Sequence, residues 1–407
     1  MNCRHCKKLL THTFLDLGFA PPSNAYLTEE DLNGSELYFP LKIKVCENCW
    51  LVQTEDYFDS KSLFTSKYAY FSSASSSWLL HAKDYSTKII KDLNLNNKSH
   101  VIEVASNDGY LLKNFIAAKI PCLGIEPTKS TADVAENLGI PVIQKFFGES
   151  LGKKITRDGK QADLIIGNNV YAHVPDINDF TKGLKAALKP GGTITLEFPH
   201  LMRLIEQSQF DTIYHEHFSY LSLYTVSRIF ASAGLRVWHV EELATHGGSL
   251  RVYGCHQNDK RDMKQSVDEL LKEEATRDLQ ELETYKNFKE RVNNIKDNLL
   301  SFLIEQKRSG KKVVAYGAAA KGNTLLNYMG VKTDLIPFIF DAAKAKQNQF
   351  MPGSHIPILP PEELMQTNPD FILILPWNIA DEVKSQNSWA IKKGIKFVTA
   401  IPKLVIS

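Results

Sequence analysis

Short apolar runs and amphipathic stretches alternate through the middle of the chain. The run 101–104 predicts a buried strand, and the small residues at 105–109 predict a tight turn that leads into a helix. Similar runs predict strands at 122–127, 141–144, 162–169 and 193–198, with a helix over 180–188. Strands and helices alternating at this length are typical of a parallel, doubly wound sheet.

The same pattern begins again near the C-terminus. Apolar runs predict strands at 312–317, 335–341 and 371–378, and the small residues at 318–324 predict a turn that opens a helix. Between the two regions, residues 257–309 place apolar side chains three or four apart among Lys and Glu, which predicts helices that bridge two domains. The predicted fold class is therefore α/β, with two Rossmann-like doubly wound domains.

Composition narrows the classes of function. A length of 407 residues suits roughly two to three domains, and 43% hydrophobic with 23% charged residues is ordinary for a globular protein. The formal net charge is +2 and no block of Lys and Arg occurs, which argues against nucleic-acid or membrane partners. We see no signal peptide and no apolar run near 18 residues, so the sequence predicts a cytoplasmic protein.

The cysteines indicate a metal centre at the N-terminus. Four of the six form two C-x-x-C pairs with 39 residues between them, a spacing that can surround one tetrahedral zinc ion. Four sulfur ligands would leave no open position, so this zinc would be structural. The alternative is a pair of redox dithiols or disulfides. The predicted ligands are Cys3, Cys6, Cys46 and Cys49, in a small zinc-binding module.

The turn after the first predicted strand indicates a nucleoside site. Ala105 and Asn107 stand where a dinucleotide-binding motif has its first two glycines, which favours a smaller nucleoside such as S-adenosylmethionine. Glu126 follows Gly109 by 17 residues, an interval that suits a carboxylate gripping a ribose. The alternative is a purely structural turn. The predicted cofactor-binding residues are Glu103, Ala105, Asn107, Asp108, Gly109, Glu126, Asn168 and Asn169.

A dense group of proton-handling residues lies at 211–221. Tyr214, His215, Glu216 and His217 are consecutive, and on an extended backbone the two histidines would share one face. A metal pair or core histidines are the alternatives, but we favour general acid–base catalysis. Two further segments have open interpretations. The glycines before Ser249 and Arg251 predict either a bare hairpin or an anion site, and residues 68–78 predict either a linker or a loop over the active site.

Taken together, these motifs resemble those of the sugar C-methyltransferases, which methylate C-3 of nucleotide-linked 4-keto-6-deoxyhexoses. The resemblance spans essentially the whole chain. It includes the four cysteines, the turn at 103–109, the segments 214–218 and 246–249, and the turn at 317–324. It implies that the middle domain binds S-adenosylmethionine. The implied catalytic residues are His217 as general base, with Tyr214, Glu216, His173 and one aromatic residue that is either Tyr68 or Tyr70. The implied substrate-binding residues are Tyr68, His246, Gly247, Ser249, Arg251, Lys321 and Asn323.

The predicted organisation is a zinc-binding module at 1–80, an S-adenosylmethionine domain at 81–256, and a helical linker with a nucleotide-sugar domain at 257–407. The predicted reaction is methylation of C-3 through an enolate formed by a histidine base, in a monomer or weak oligomer. The alternatives are an NAD(P)-dependent oxidoreductase of a nucleotide sugar and a non-catalytic zinc adaptor. The sequence leaves open whether the nucleotide is dTDP or GDP.

Overall fold

The structure is a computed structural model that describes residues 1–55 and 71–407. The predicted site residues Tyr68 and Tyr70 lie outside the described part. The strands are β1 His12–Ala20, β2 Phe39–Val45, β3 Val52–Thr54, β4 Val101–Val104, β5 Cys122–Ile125, β6 Val142–Ile143, β7 Ala162–Asn168, β8 Leu188–Pro199, β9 Ser219–Tyr220, β10 Leu235–Leu243, β11 Ser249–His256, β12 Val313–Tyr316, β13 Ile339–Phe340, β14 Ile358–Leu359, β15 Phe371–Ile374, β16 Lys396–Thr399 and β17 Val405–Ile406. The α-helices are α1 Ser76–Asp92, α2 Leu112–Ala117, α3 Lys129–Asn137, α4 Glu149–Arg157, α5 Ile177–Ala187, α6 Leu201–Glu206, α7 Leu223–Ala233, α8 Gln265–Thr276, α9 Leu282–Lys286, α10 Phe288–Arg308, α11 Ala320–Met329, α12 Leu364–Thr367, α13 Ala380–Gln386 and α14 Ser388–Lys392.

The middle of the chain forms a seven-stranded sheet in the order β10-β11-β8-β7-β4-β5-β6. The strands from β8 to β6 are parallel, as the sequence predicts, whereas β10 and β11 form an antiparallel hairpin on β8. The chain leaves β4 for β5 on one side and later returns to β7 on the other. The carboxyl end of β4 is therefore a topological switch point, where α/β sheets bind ligands.

The C-terminal sheet has the order β14-β13-β12-β15-β16-β17, with only β17 antiparallel to its neighbour. Its switch point is at the carboxyl end of β12, next to the carboxyl end of the parallel strand β15. The helix α11 begins at Ala320, earlier than the predicted end of the turn at 324, so Lys321 lies in its first turn. The structure thus contains the two doubly wound α/β units predicted from the sequence.

The N-terminal module is joined to the middle domain by a strand that the sequence pattern did not predict. Its sheet has the order β1-β2-β3-β9, and β9 belongs to the segment just after His217. Val52 pairs with Tyr220 and Gln53 with Ser219 in antiparallel register. The proton-handling segment is therefore attached to the edge of the zinc module.

The longest helix of the predicted linker packs between domains. In α10, Phe288, Val292 and Leu299 are fully buried, and their core also contains Phe14 of β1 and Val313 of β12. The zinc module and the C-terminal domain consequently share one hydrophobic core. Within residues 1–55 and 71–407, none of the helices is both long and apolar enough to cross a bilayer.

Candidate active site

The four predicted zinc ligands converge at the N-terminus. Their sulfur atoms all lie within 4.8 Å of one another, and the Sγ atoms of Cys3 and Cys49 are 3.4 Å apart. Sulfurs around a tetrahedral zinc are separated by about 3.8 Å, because each Zn–S bond is about 2.3 Å. All four cysteines are free thiols, so each can supply a ligand. The donor set therefore fits a closed zinc site.

The two cysteine pairs have the same backbone conformation. Each is followed by a residue in the left-handed region, Lys7 with φ 62° and Trp50 with φ 62°. The N–H groups of these residues donate to the carbonyls of Cys3 at 3.1 Å and Cys46 at 2.7 Å. Each pair is thus a closed turn that directs its two thiolates to one point.

The turn after β4 is as tight as its small residues predict. Ala105, Asn107 and Gly109 have φ values of 58°, 49° and 77°. A Cβ on Gly109 would lie 2.5 Å from Ile140 Cδ1, so this position requires glycine. The N–H groups of Ser72 and Ser73 donate to Asn107 Oδ1 and Asp108 Oδ2, at 2.9 and 3.1 Å. The turn is therefore rigid and is partly covered by the chain that leads into α1.

Polar groups surround this turn. Glu126, at the end of β5, accepts the N–H of Asn107 at 3.0 Å and that of Thr128 at 2.9 Å. Burial raises the pKa of Glu103 well above its ordinary value, and the charges of Asp108 and Glu126 add to the effect. At the end of β7, both polar atoms of the Asn168 side-chain amide are buried with no hydrogen-bond partner among the described residues. An orphaned amide beside the switch point fits a polar nucleoside ligand.

His217 is held in one tautomer. Its Nδ1 lies 2.9 Å from the carbonyl oxygen of Thr212. Since a carbonyl only accepts, Nδ1 must carry the proton, and the lone pair is on Nε2. The side chain is 7% exposed, and burial, followed by the nearby His173, lowers the pKa of His217 well below its ordinary value. The imidazole is therefore neutral and able to accept a proton near neutral pH.

The other proton-handling residues cluster around His217, but the backbone there is not extended. The N–H of His217 donates to the Tyr214 carbonyl at 2.9 Å, which closes a turn. The rings of Tyr214 and His173 consequently lie 4.0 and 4.6 Å from that of His217, centroid to centroid. The ring of His215 instead lies near that of Phe39 in the zinc module, with their centroids 6.1 Å apart. The prediction that His215 and His217 share one face on an extended strand is wrong, because the turn puts Tyr214 beside His217.

His246 approaches the same region on a strained loop. Its φ is 55°, and Gly247 and Gly248 follow with φ 88° and 116°. Asn169 Nδ2 donates to His246 Nε2 at 3.0 Å, and a Cβ on Gly247 would meet the Trp377 ring at 2.4 Å. Burial, followed by the charge of Lys321, lowers the pKa of His246 to about 4. The loop thus connects Asn169, just after the end of β7, with Trp377 of the C-terminal domain.

Arg251 and Ser249 have partners within this loop and the strands below it. Arg251 is 3% exposed and forms ion pairs with Glu197 and, at 3.7 Å, Glu241. Burial raises the pKa of Glu197, but His81 and Arg251 outweigh burial and hold that pKa below its ordinary value. Ser249 Oγ donates to the Thr245 carbonyl at 2.9 Å. This placement favours support of the His246 loop over the direct anion binding predicted from the sequence.

Lys321 brings a cation from the C-terminal domain into the cleft. Its Nζ donates to Asn378 Oδ1 at 2.6 Å and lies 4.7 Å from the centroid of the Trp377 ring. Trp377 Nε1 donates to Asp211 Oδ2 at 2.8 Å. Burial lowers the pKa of Lys321 and raises that of Asp211 to about 6. Asn323, two residues further along α11, is fully buried.

The structure thus brings the rings of His173 and Tyr214 against that of His217, with His246 and Lys321 close enough to affect the His217 pKa. Sequence reasoning missed Asp211, Glu197, His81 and Trp377. Asp211 stands inside the segment that the sequence singles out, and its position before the tyrosine–histidine cluster was the available signal. The other three lie far away in sequence. The hydrophobic pattern around each predicts its secondary structure but not that it lies near the site.

Comparisons with known proteins agree with this arrangement. Family models match three consecutive parts of the chain: a zinc binding domain at 3–64, a methyltransferase domain at 79–240 and a C-methyltransferase C-terminal domain at 244–402. C-methyltransferase NovU from Streptomyces niveus is 33% identical over 401 residues, which are 98% of this chain and 95% of that protein.

Solved methyltransferase structures are similar to less than half of the chain. An S-adenosylmethionine-dependent methyltransferase from Clostridium acetobutylicum is 12% identical, with a TM-score of 0.34 over 42% of this chain and 89% of that one. Magnesium protoporphyrin IX methyltransferase from Synechocystis, with bound SAH, is 13% identical, with a TM-score of 0.35 over 43% of this chain and 81% of that one. The family models and the relationship over nearly the full length carry the assignment. The chain belongs to the sugar C-methyltransferase family and is an S-adenosylmethionine-dependent C-methyltransferase with an N-terminal zinc-binding domain.

Proposed function

We propose that the enzyme methylates C-3 of a nucleotide-linked 4-keto-6-deoxy sugar, with His217 as the general base. The observation that supports this most is the fixed tautomer of His217, in which Nδ1 binds Thr212 and the neutral Nε2 keeps its lone pair. A ketone acidifies the carbon next to it, so a neutral imidazole can remove that proton if the enolate is stabilised.

In the proposed reaction His217 Nε2 takes the C-3 proton, and the electrons of the C–H bond delocalise onto the C-4 oxygen. Tyr214 or His173 donates a hydrogen bond to that oxygen. Bound S-adenosylmethionine supplies an electrophilic methyl group on sulfur. C-3 would then bond to that methyl group as its bond to sulfur breaks, with S-adenosylhomocysteine as the leaving group, and the His217 imidazolium would release its proton to solvent. The buried cleft excludes water and aligns the reacting carbons.

We propose that Glu103, Ala105, Asn107, Asp108, Gly109, Glu126, Asn168 and Asn169 hold the cofactor. These residues lie at or just after the carboxyl ends of β4, β5 and β7. The side-chain amide of Asn168 has no hydrogen-bond partner among the described residues and could bind the cofactor. We assign His246, Gly247, Lys321 and Asn323 to the substrate, with Tyr68 and Tyr70 as further candidates. The Lys321 ammonium suits the diphosphate of either dTDP or GDP.

We also propose the domain division 1–80, 81–256 and 257–407, with β9 completing the sheet of the first domain. Free thiols at Cys122 and Cys255, together with a thiolate metal site, support a reducing, cytoplasmic location. For the oligomeric state we propose a monomer or weak oligomer.

The experiment is mass spectrometry of reactions with S-adenosylmethionine and a panel of dTDP- and GDP-linked 4-keto-6-deoxy sugars. We expect a gain of one methyl group in at least one sugar, and localisation of that methyl to C-3 by NMR. Absence of methylation across the panel by zinc-loaded enzyme, or a methyl on oxygen, would contradict the proposal.

A further inference from the structure

The loop at 21–27 of the zinc module extends into the cleft between the other two domains. Leu27 forms an antiparallel bridge with Phe350, with N···O distances of 3.0 and 2.8 Å. The Tyr26 hydroxyl donates to the Ala318 carbonyl at 2.6 Å, in the turn after β12. A Cβ on Gly353 would lie 3.0 Å from Pro21 Cγ, so the two chains are in close contact. The C-terminal domain therefore fixes the loop at both ends.

Asn24, in the middle of this loop, reaches the catalytic segment. Its Nδ2 donates to Glu216 Oε1 at 2.7 Å, across 192 residues of sequence. The Glu216 residue is 3% exposed, so its carboxylate is shielded from solvent where this hydrogen bond forms. A hydrogen bond to a buried charged group is among the stronger ones, and its loss leaves the charge with one donor fewer.

We propose that Asn24 is a positioning residue of the active site, which holds the Glu216 carboxylate in place and so fixes the turn that leads into the base His217. This inference rests on the proposed function, since it takes Glu216 as part of the site. Glu216 directly precedes His217 in the turn that begins at Tyr214. A carboxylate released from Asn24 could rotate, and a displacement of about 1 Å near reacting atoms lowers rates by up to about 100-fold. The zinc module would thus contribute to the site through a side chain as well as through β9.

The test is a double-mutant cycle on the zinc-loaded full chain. We expect Asn24→Ala to lower kcat by about 10- to 100-fold, with an unchanged Kd for S-adenosylmethionine. In a Glu216→Ala background the same substitution should have no further effect, because its partner is already absent. Single turnovers with enzyme in excess make the slow variants measurable. Asn33→Ala, an exposed position of the same module, is the matched control and should retain wild-type kcat.

Two results would overturn the proposal. One is a wild-type kcat for Asn24→Ala. The other is an equal loss in both backgrounds, which would mean that Asn24 supports the fold without acting through Glu216. Failure of the proposed function is a different outcome, because wild-type enzyme would then methylate no keto sugar.

Discussion

The Nδ1–H of His217 donates to the carbonyl oxygen of Thr212, five residues earlier. Thr212 belongs to a short 3-10 helix, Phe210–Thr212, which the C-terminal domain holds on both sides. Trp377 binds Asp211, and Thr324 Oγ1 donates to the Ile213 carbonyl at 2.9 Å. The orientation of the proposed base thus depends on contacts made by a different domain.

Trp377→Phe tests this dependence. The substitution keeps an aromatic ring but removes the N–H that Asp211 accepts, so we expect a loss of about 1–3 kcal/mol in stability and a clear fall in kcat. Unfolding by denaturant and steady-state kinetics measure the two effects. Trp389→Phe, on the outer helix α14, is the control and should leave kcat unchanged. Equal kcat values for both variants would contradict the role of Trp377.

Gly247→Ala tests the close approach of the His246 loop to Trp377. The new Cβ would meet the Trp377 ring at 2.4 Å, and φ is 88°. Gly191→Ala is a matched control, because its φ is 78° with no atom within 4 Å of the new Cβ. Both variants have the backbone strain of about 1–2 kcal/mol. Only Gly247→Ala should lose a further roughly 1–3 kcal/mol by overpacking, along with most activity. Equal unfolding free energies for the two variants would contradict the predicted clash, because the loop would then accommodate the new Cβ at no extra cost.

The lowered pKa of His246 predicts instability in acid. The folded protein holds the pKa of His246 at about 4, below its value near 6.5 in an unfolded chain. Between these values the unfolded state binds more protons, so stability is complete above pH 6.5 and falls as the pH drops toward 4. His246→Gln should remove up to about 3 kcal/mol of this pH dependence, measured by denaturant unfolding at several pH values. His12→Gln, at a partly exposed site, serves as the control. An unchanged slope in His246→Gln would rule out the buried, neutral state.

Zinc removal should affect both stability and catalysis. Cys46 and Cys49 lie in the turn that connects β2 and β3, and β3 pairs with β9, which follows His217. We expect one zinc per chain, and chelation should lower the melting temperature and abolish turnover until zinc is restored. Cys49→Ser should behave like the chelated enzyme, while Cys255→Ala should keep its metal. Full activity in metal-free protein would contradict this coupling.

The sequence predicted local features well and distant pairings poorly. The cysteine spacing located the metal ligands, and the small residues at 105–109 located the tight turn at the switch point. Each of these signals lies within a few consecutive residues or in a known ligand spacing. The pairing of β3 with β9, the hydrogen bond from Asn24 to Glu216 and the contact of Trp377 with Asp211 join segments far apart in sequence. Hydrophobic periodicity assigns a face to each element but does not specify which other element covers it.

The error at 214–217 has a related cause. The prediction that the two histidines share one face assumed an extended backbone, but the His217 N–H finds its partner in the Tyr214 carbonyl. This turn brings Tyr214 beside His217 and sends His215 toward Phe39. Burial between two domains decided the backbone there, since each polar group needs a partner within the cleft.

The central claim is that His217 removes the C-3 proton of a 4-keto sugar. Its most direct measurement is exchange of the C-3 hydrogen for deuterium in D2O, followed by NMR with a sugar that the enzyme methylates and with S-adenosylhomocysteine replacing the methyl donor. We expect exchange with wild-type enzyme and none with His217→Asn, although that variant still binds S-adenosylmethionine by calorimetry. Exchange by His217→Asn at the wild-type rate would contradict the claim and place the base elsewhere.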